Sequence, residues 1–100
     1  YVASLDANLR EPGRYASFRA ITTSSHAESG HRLGTVDVPV TVVMGTADPD
    51  FPDAKAEAEE IAEIMGGTVV WSEGSGHYPQ AETPDLVVEA IADVVDRVRR

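Results

Sequence analysis

Val38-Pro39-Val40-Thr41-Val42-Val43-Met44 is a nearly continuous apolar, β-branched run that stops at Gly45. Such a run is expected of a strand buried on both faces of a parallel sheet, with Pro39 tolerable at its start. After an Asp- and Pro-rich loop, Ala54, Ala58, Ile61 and Met65 recur at helical spacing, while Lys55, Glu57, Glu59, Glu60 and Glu63 face away. Gly66-Gly67 ends that helix, and Thr68 to Trp71 supplies a second short strand. Two strands joined through a helix lie parallel by the right-handed crossover rule.

Outward from this unit the pattern stays helical. Beyond Glu73-Gly74-Ser75-Gly76-His77-Tyr78-Pro79, Thr83 is an expected N-cap, with Pro84 at the first helical position and Val87, Ile91, Val94 and Val98 as the expected buried face. Upstream, Tyr15, Phe18 and Ile21 or Thr22 recur at helical spacing between Pro12 and about Glu28, and Leu5 and Leu9 mark a shorter helix before Pro12-Gly13. Gly30 to Asp37 reads as a polar connection with Leu33 as its one buried candidate. The order helix, helix, strand, helix, strand, helix gives an α/β fold class. A two-stranded parallel sheet is too small to bury its edges, so further strands are expected from elsewhere.

The bulk properties narrow the function classes. A chain of 100 residues holds one small domain, and 42% apolar with 25% charged residues is globular rather than disordered. Seventeen acidic against eight basic residues give a net charge of −9, which repels phosphate backbones, so nucleic acid is not an expected partner. With no cysteine there is no disulfide, thiolate metal site or Cys nucleophile. No apolar run approaches about 18 residues and no signal-peptide pattern opens the chain, so no membrane partner and a cytoplasmic location are expected. The first residues, Tyr1-Val2-Ala3-Ser4, lack an initiator Met, as in an excised or processed piece.

In open parallel sheets ligands collect at the carboxyl ends of the strands, and Asp48 and His77 both lie in loops that leave those ends. A carboxylate bonded to one ring nitrogen of a histidine fixes its tautomer and stabilises the imidazolium formed when the other nitrogen takes a proton. Read alone, Asp48 is equally a cap for the next helix, a role for which Asp50 and Asp53 compete, and His77 a surface loop residue.

The stretch from Val38 to Asp48, ending Gly45-Thr46-Ala47-Asp48, resembles the strand and acid loop of α/β-hydrolases, and Gly74-Ser75-Gly76-His77-Tyr78-Pro79 resembles their histidine loop. The resemblance runs from about Pro12 to the end. It implies a C-terminal part of an α/β-hydrolase fold with an incomplete sheet: residues 1–11 the end of the lid, 12–100 the C-terminal part of the catalytic domain. Asp48 would be the triad acid and His77 the general base, with no cofactor. The chain order nucleophile, acid, histidine puts the missing nucleophile upstream or on a second chain. No Ser here has Gly two positions before and after it; Ser75 has Glu73 and His77 there, and its loop reads as a turn that lets His77 approach the acid.

Phe51 and Tyr78, each near a triad candidate, are candidates to line a substrate pocket, with packing the competing reading. Tyr15, Phe18 and Trp71 read as core aromatics. His26 and His31 are five apart, off the spacing that puts two ligands on one helix face, and Pro52 and Asp53 break a calcium loop begun by Asp48 and Asp50, so no metal is expected.

Three functions remain open. The first is part of a hydrolase acting on ester-like bonds of a small-molecule substrate, inactive without its nucleophile; an epoxide hydrolase or haloalkane dehalogenase-like parent with an Asp nucleophile shares both motifs. The second is a non-catalytic binding or regulatory domain on the same fold. The third is an inert core or intertwined homo-oligomer in which another copy completes the sheet.

Overall fold

The computed structural model describes all residues 1–100 as two compact units, Tyr1–His31 and Arg32–Arg100. Helices α1 (Val2–Leu9), α2 (Arg14–Thr22) and α3 (Ala27–Arg32) come first. None of the three contains a buried residue. Tyr15 is 58% and Phe18 51% exposed, which corrects the expectation that they are core aromatics. The helix expected to reach Glu28 also stops early, at Thr22. Its last turns are rich in short hydroxyls: Thr22, Thr23 and Ser24 donate to the carbonyls of Phe18, Arg19 and Ile21, offering those oxygens partners outside the helical ladder. The Gly30 to Asp37 connection is more regular than expected, since α3 runs to Arg32 and a 3₁₀ turn follows over Leu33–Thr35.

In the second unit, β1 (Thr41–Gly45) and β2 (Thr68–Ser72) pair in parallel, from Thr41 opposite Thr68 to Gly45 opposite Ser72. The ladder begins at Thr41 rather than Val38 because its partner begins at Thr68; Val38 is left 64% exposed. Between them α4 (Ala54–Met65) makes the crossover, capped by Asp53, whose carboxylate accepts from the Ala56 N–H. It ends at Gly66, whose positive φ of 63° is the left-handed conformation that favours glycine.

Side chains alternate across the sheet. Val42 and Met44 of β1, with Val69 and Trp71 of β2, meet Ala54 and Ala58 of α4 in the buried cluster, and Phe51 packs there too. Thr41, Val43 and Val70 line the opposite face beneath α6 (Pro84–Arg99). A short helix, α5 (Pro79–Glu82), precedes α6. The unit is thus a mixed α/β slab: two parallel strands flanked by helices, a small incomplete sheet.

On α6 the buried stripe is rotated from the expected one. Ala90 is buried and Leu86, Val87 and Val94 half-buried, while Ile91 is 58% and Val98 64% exposed. The small Ala90 lets the helix approach the sheet, and a two-stranded sheet is too narrow to cover the apolar residues to one side of it. An open groove of about 190 Å³ remains there, lined by Thr41, Val43, Ala90, Ile91, Val94 and Val95. Arg97 reaches from the last turn of α6 to the Thr41 hydroxyl. No helix is long and apolar enough to cross a membrane.

Candidate functional site

The two loops at the carboxyl ends of the strands are stitched to each other by hydrogen bonds apart from any made by Asp48 or His77. The Thr46 N–H donates to the Ser72 carbonyl at 3.1 Å and the Ala47 N–H to the Ser75 carbonyl at 3.0 Å. From the other side the Gly74 N–H donates to the Thr46 hydroxyl, which in turn donates to the Glu73 carboxylate. Gly45 makes the approach possible: a Cβ there would collide with the carbonyl oxygens of Ser75 and Gly76.

A buried hydroxyl chain holds the histidine loop from beneath. Thr83 donates to the Pro79 carbonyl (3.0 Å), so it accepts from Ser72 (2.7 Å), which therefore accepts from Ser75 (2.6 Å). Ser72 is fully buried and Ser75 4% exposed. Two readings of the sequence are resolved by this. Ser75 is a structural turn residue with its hydroxyl already bonded. Thr83 is the N-cap residue of α6, as expected, but its side chain makes no cap bond because its hydroxyl is engaged by this chain.

On this frame the two residues singled out in the sequence meet. His77 Nδ1 lies 2.9 Å from Asp48 Oδ2. Asp48 is 7% exposed and Asp53 caps α4 in its place, leaving the Asp48 carboxylate free to face the imidazole. Its other oxygen accepts the Asp50 N–H at 2.9 Å. An ionised carboxylate only accepts, so Nδ1 carries the proton and Nε2, across the ring, is the nitrogen open to exchange one.

The environment separates the two charges. Burial pushes the Asp48 carboxyl up, but the Asp50 amide, the hydrogen bond with His77 and the attraction of its ring together hold it below its ordinary value of 3.8. His77 is raised above its ordinary 6.5, first by the hydrogen bond to Asp48, then by that carboxylate's charge, and more weakly by Asp50, against some desolvation.

Asp50 is the residue that sequence reading missed as part of the site. Its Oδ2 lies 3.1 Å from the same Nδ1. The Asp-x-Asp spacing was the available signal, but it reads as cap or loop chemistry until the histidine is in place. One donor atom from each of Asp48, Asp50 and His77 falls within 4.8 Å of the others, a spacing that could hold a cation and that the His77–Asp48 hydrogen bond and the His77–Asp50 ion pair already account for. The pocket candidates separate: Phe51 packs into the α4 cluster, whereas Tyr78 is 62% exposed with its ring edge-on to His77 at 5.2 Å. His26 and His31 are exposed and lie in the other unit.

No protein-family model matches this chain, and no curated protein or solved structure matches it.

Proposed function

We propose that these residues form the C-terminal part of an α/β-hydrolase catalytic domain, acting on ester-like bonds, with Asp48 as the acid and His77 as the general base. The observation that carries this is the 2.9 Å contact between His77 Nδ1 and a nearly buried Asp48, presented together at the carboxyl ends of adjacent parallel strands. Asp48 holds the ring with Nδ1 protonated. Nε2 takes the nucleophile's proton as its oxygen bonds to the substrate's carbonyl carbon, and gives that proton to the departing alcohol. The same nitrogen then deprotonates the water that hydrolyses the covalent intermediate.

The nucleophile comes from residues outside these hundred, on an upstream segment or a second chain. The open groove supports this placement: it is lined by residues of β1 and α6 and by none of β2, and exposed Ile91, Val95 and Val98 continue the apolar face of α6. A further strand beside β1 would cover them. An Asp nucleophile, as in epoxide hydrolases and haloalkane dehalogenases, would need His77 only for the water step, since a carboxylate has no proton to lose.

Intact mass spectrometry of the native protein identifies the nucleophile-bearing segment, and the assembled protein is then assayed on ester and epoxide substrates. His77→Ala is expected to lower kcat by about 10²–10⁴-fold. Undiminished turnover in that variant would remove His77 as the base and sink this mechanism, whereas a biological activity of the parent that survives His77→Ala without any turnover would favour a binding or regulatory domain on this fold.

A further inference from the structure

We propose that Asp50 is a positioning residue and second acid of this site, its carboxylate forming an ion pair with the His77 ring beside the hydrogen bond that Nδ1 makes to Asp48. The role deepens the hydrolytic reading and rests on it. Two distances define it: Nδ1 is 2.9 Å from Asp48 Oδ2 and 3.1 Å from Asp50 Oδ2. The hydrogen bond from Nδ1 goes to Asp48, and Asp50 acts on the same edge of the ring through its charge.

Asp50 contributes in two separable ways. Its backbone N–H locks the Asp48 carboxylate by donating to Oδ1, a contact that survives substitution of the side chain. Its carboxylate places a second negative charge beside the imidazolium formed during turnover. The other nearby acids are occupied differently: Glu82 accepts the Gly76 N–H and Glu73 accepts the Thr46 hydroxyl. Asp48 is nearly buried whereas the Asp50 side chain is 59% exposed, so Asp50 is the weaker partner through solvent screening and the reserve when Asp48 is neutralised.

In the assembled enzyme, Asp48→Asn therefore retains more activity than a site with a single acid, where the corresponding loss is about 10⁴-fold, and Asp48→Asn/Asp50→Asn loses the remainder. The deciding measurement needs no substrate. The His77 ring is followed by ¹⁵N NMR as a function of pH in the hundred-residue chain, for wild type, Asp48→Asn, Asp50→Asn and the double variant.

Asp50→Asn, which keeps the backbone amide and the side-chain shape, is expected to lower the titration midpoint of His77. Asp48→Asn is expected to lower it further while keeping the proton of the neutral ring on Nδ1. Only the double variant releases that tautomer. A role confined to loop structure would move neither reading.

An unchanged midpoint and tautomer on removing the Asp50 carboxylate, in both backgrounds, overturns the proposal and leaves the Asp48–His77 pair standing. A midpoint indifferent to Asp48→Asn as well would instead remove the pair on which the function rests. Asp50→Ser gives a second test with the amide retained, should the amide-bearing side chain of Asn substitute as an acceptor.

Discussion

The two units of this chain are built from similar helical periodicity and come to opposite ends. In Tyr1–His31, Tyr15, Phe18 and Ile21 keep helical spacing on α2, yet all three are exposed. In Arg32–Arg100, Ala54, Ala58 and Ala62 repeat at the same kind of spacing on α4 and are buried to 6% or less. The difference is the presence of a pleated face to receive the helix. Periodicity decides which side of a helix is apolar; a second layer decides whether that side leaves water. Short helices such as α1 and α2, of 8 and 9 residues, gain little from propensity alone, since isolated helices below about 12–15 residues are marginal.

The sharpest way to press on that comparison is at Gly45, in the unit that contains the sheet. An added Cβ meets backbone carbonyls of Ser75 and Gly76, which cannot step aside as a side chain could. Gly45→Ala is expected to lower unfolding stability by about 1–3 kcal/mol in urea denaturation, and to shift the His77 ring resonances by prying the loops apart. Unchanged stability would mean that the loops are not held as closely as their hydrogen bonds indicate.

The next effect is electrostatic and confined to the site. His77, raised in the folded state, contributes stability that is complete below 6.5 and is lost as pH rises through its folded value. Asp48, depressed in the folded state, contributes stability that is complete above 3.8 and is lost as pH falls through its folded value. Both contributions are therefore whole between 3.8 and 6.5. Urea midpoints measured across this range and up to pH 8 should fall with rising pH more steeply in wild type than in His77→Ala. That difference isolates the pair from the general repulsion of a chain with net charge −9. Parallel curves would show that the contact does not persist in solution.

What could be read in the sequence follows the same division. The β-branched run before Gly45 and the helix stop at Gly66 are local signals with one structural solution each, the glycine-flanked His77 gains its meaning only beside Asp48, and the parallel pairing follows from the crossover. The hydroxyl chain Ser75, Ser72, Thr83 was not legible, because hydroxyl partners depend on the relative placement of β2, the histidine loop and the entry to α6. Thr83 accordingly holds the expected N-cap position of α6 without making the side-chain bond expected of a cap. Asp50 was hidden for the same reason: its ion pair is made with a ring 27 positions later in the chain. On α6, periodicity correctly gave an apolar helix but misplaced the buried stripe, because the choice between Ala90 and its larger neighbours depends on how closely the sheet approaches.

The smallest expected effect comes from the other unit and is the most informative about context. Phe18 is 51% exposed, so Phe18→Ala removes little buried area and should change the stability of this chain by no more than about 0.5 kcal/mol. A buried phenylalanine truncated in the same way loses about 3–5 kcal/mol. The two values are far enough apart for urea denaturation to distinguish them, provided that the unfolding of the Tyr1–His31 unit is followed by its own amide signals. A loss near the larger value would show that Phe18 is covered in solution. Sedimentation at several protein concentrations would then identify the cover: a loss that appears only where the chain self-associates assigns it to a second copy. A monomer that still shows the large loss would instead mean that helical periodicity at Tyr15, Phe18 and Ile21 finds a layer within this chain, and the contrast between the two units would disappear.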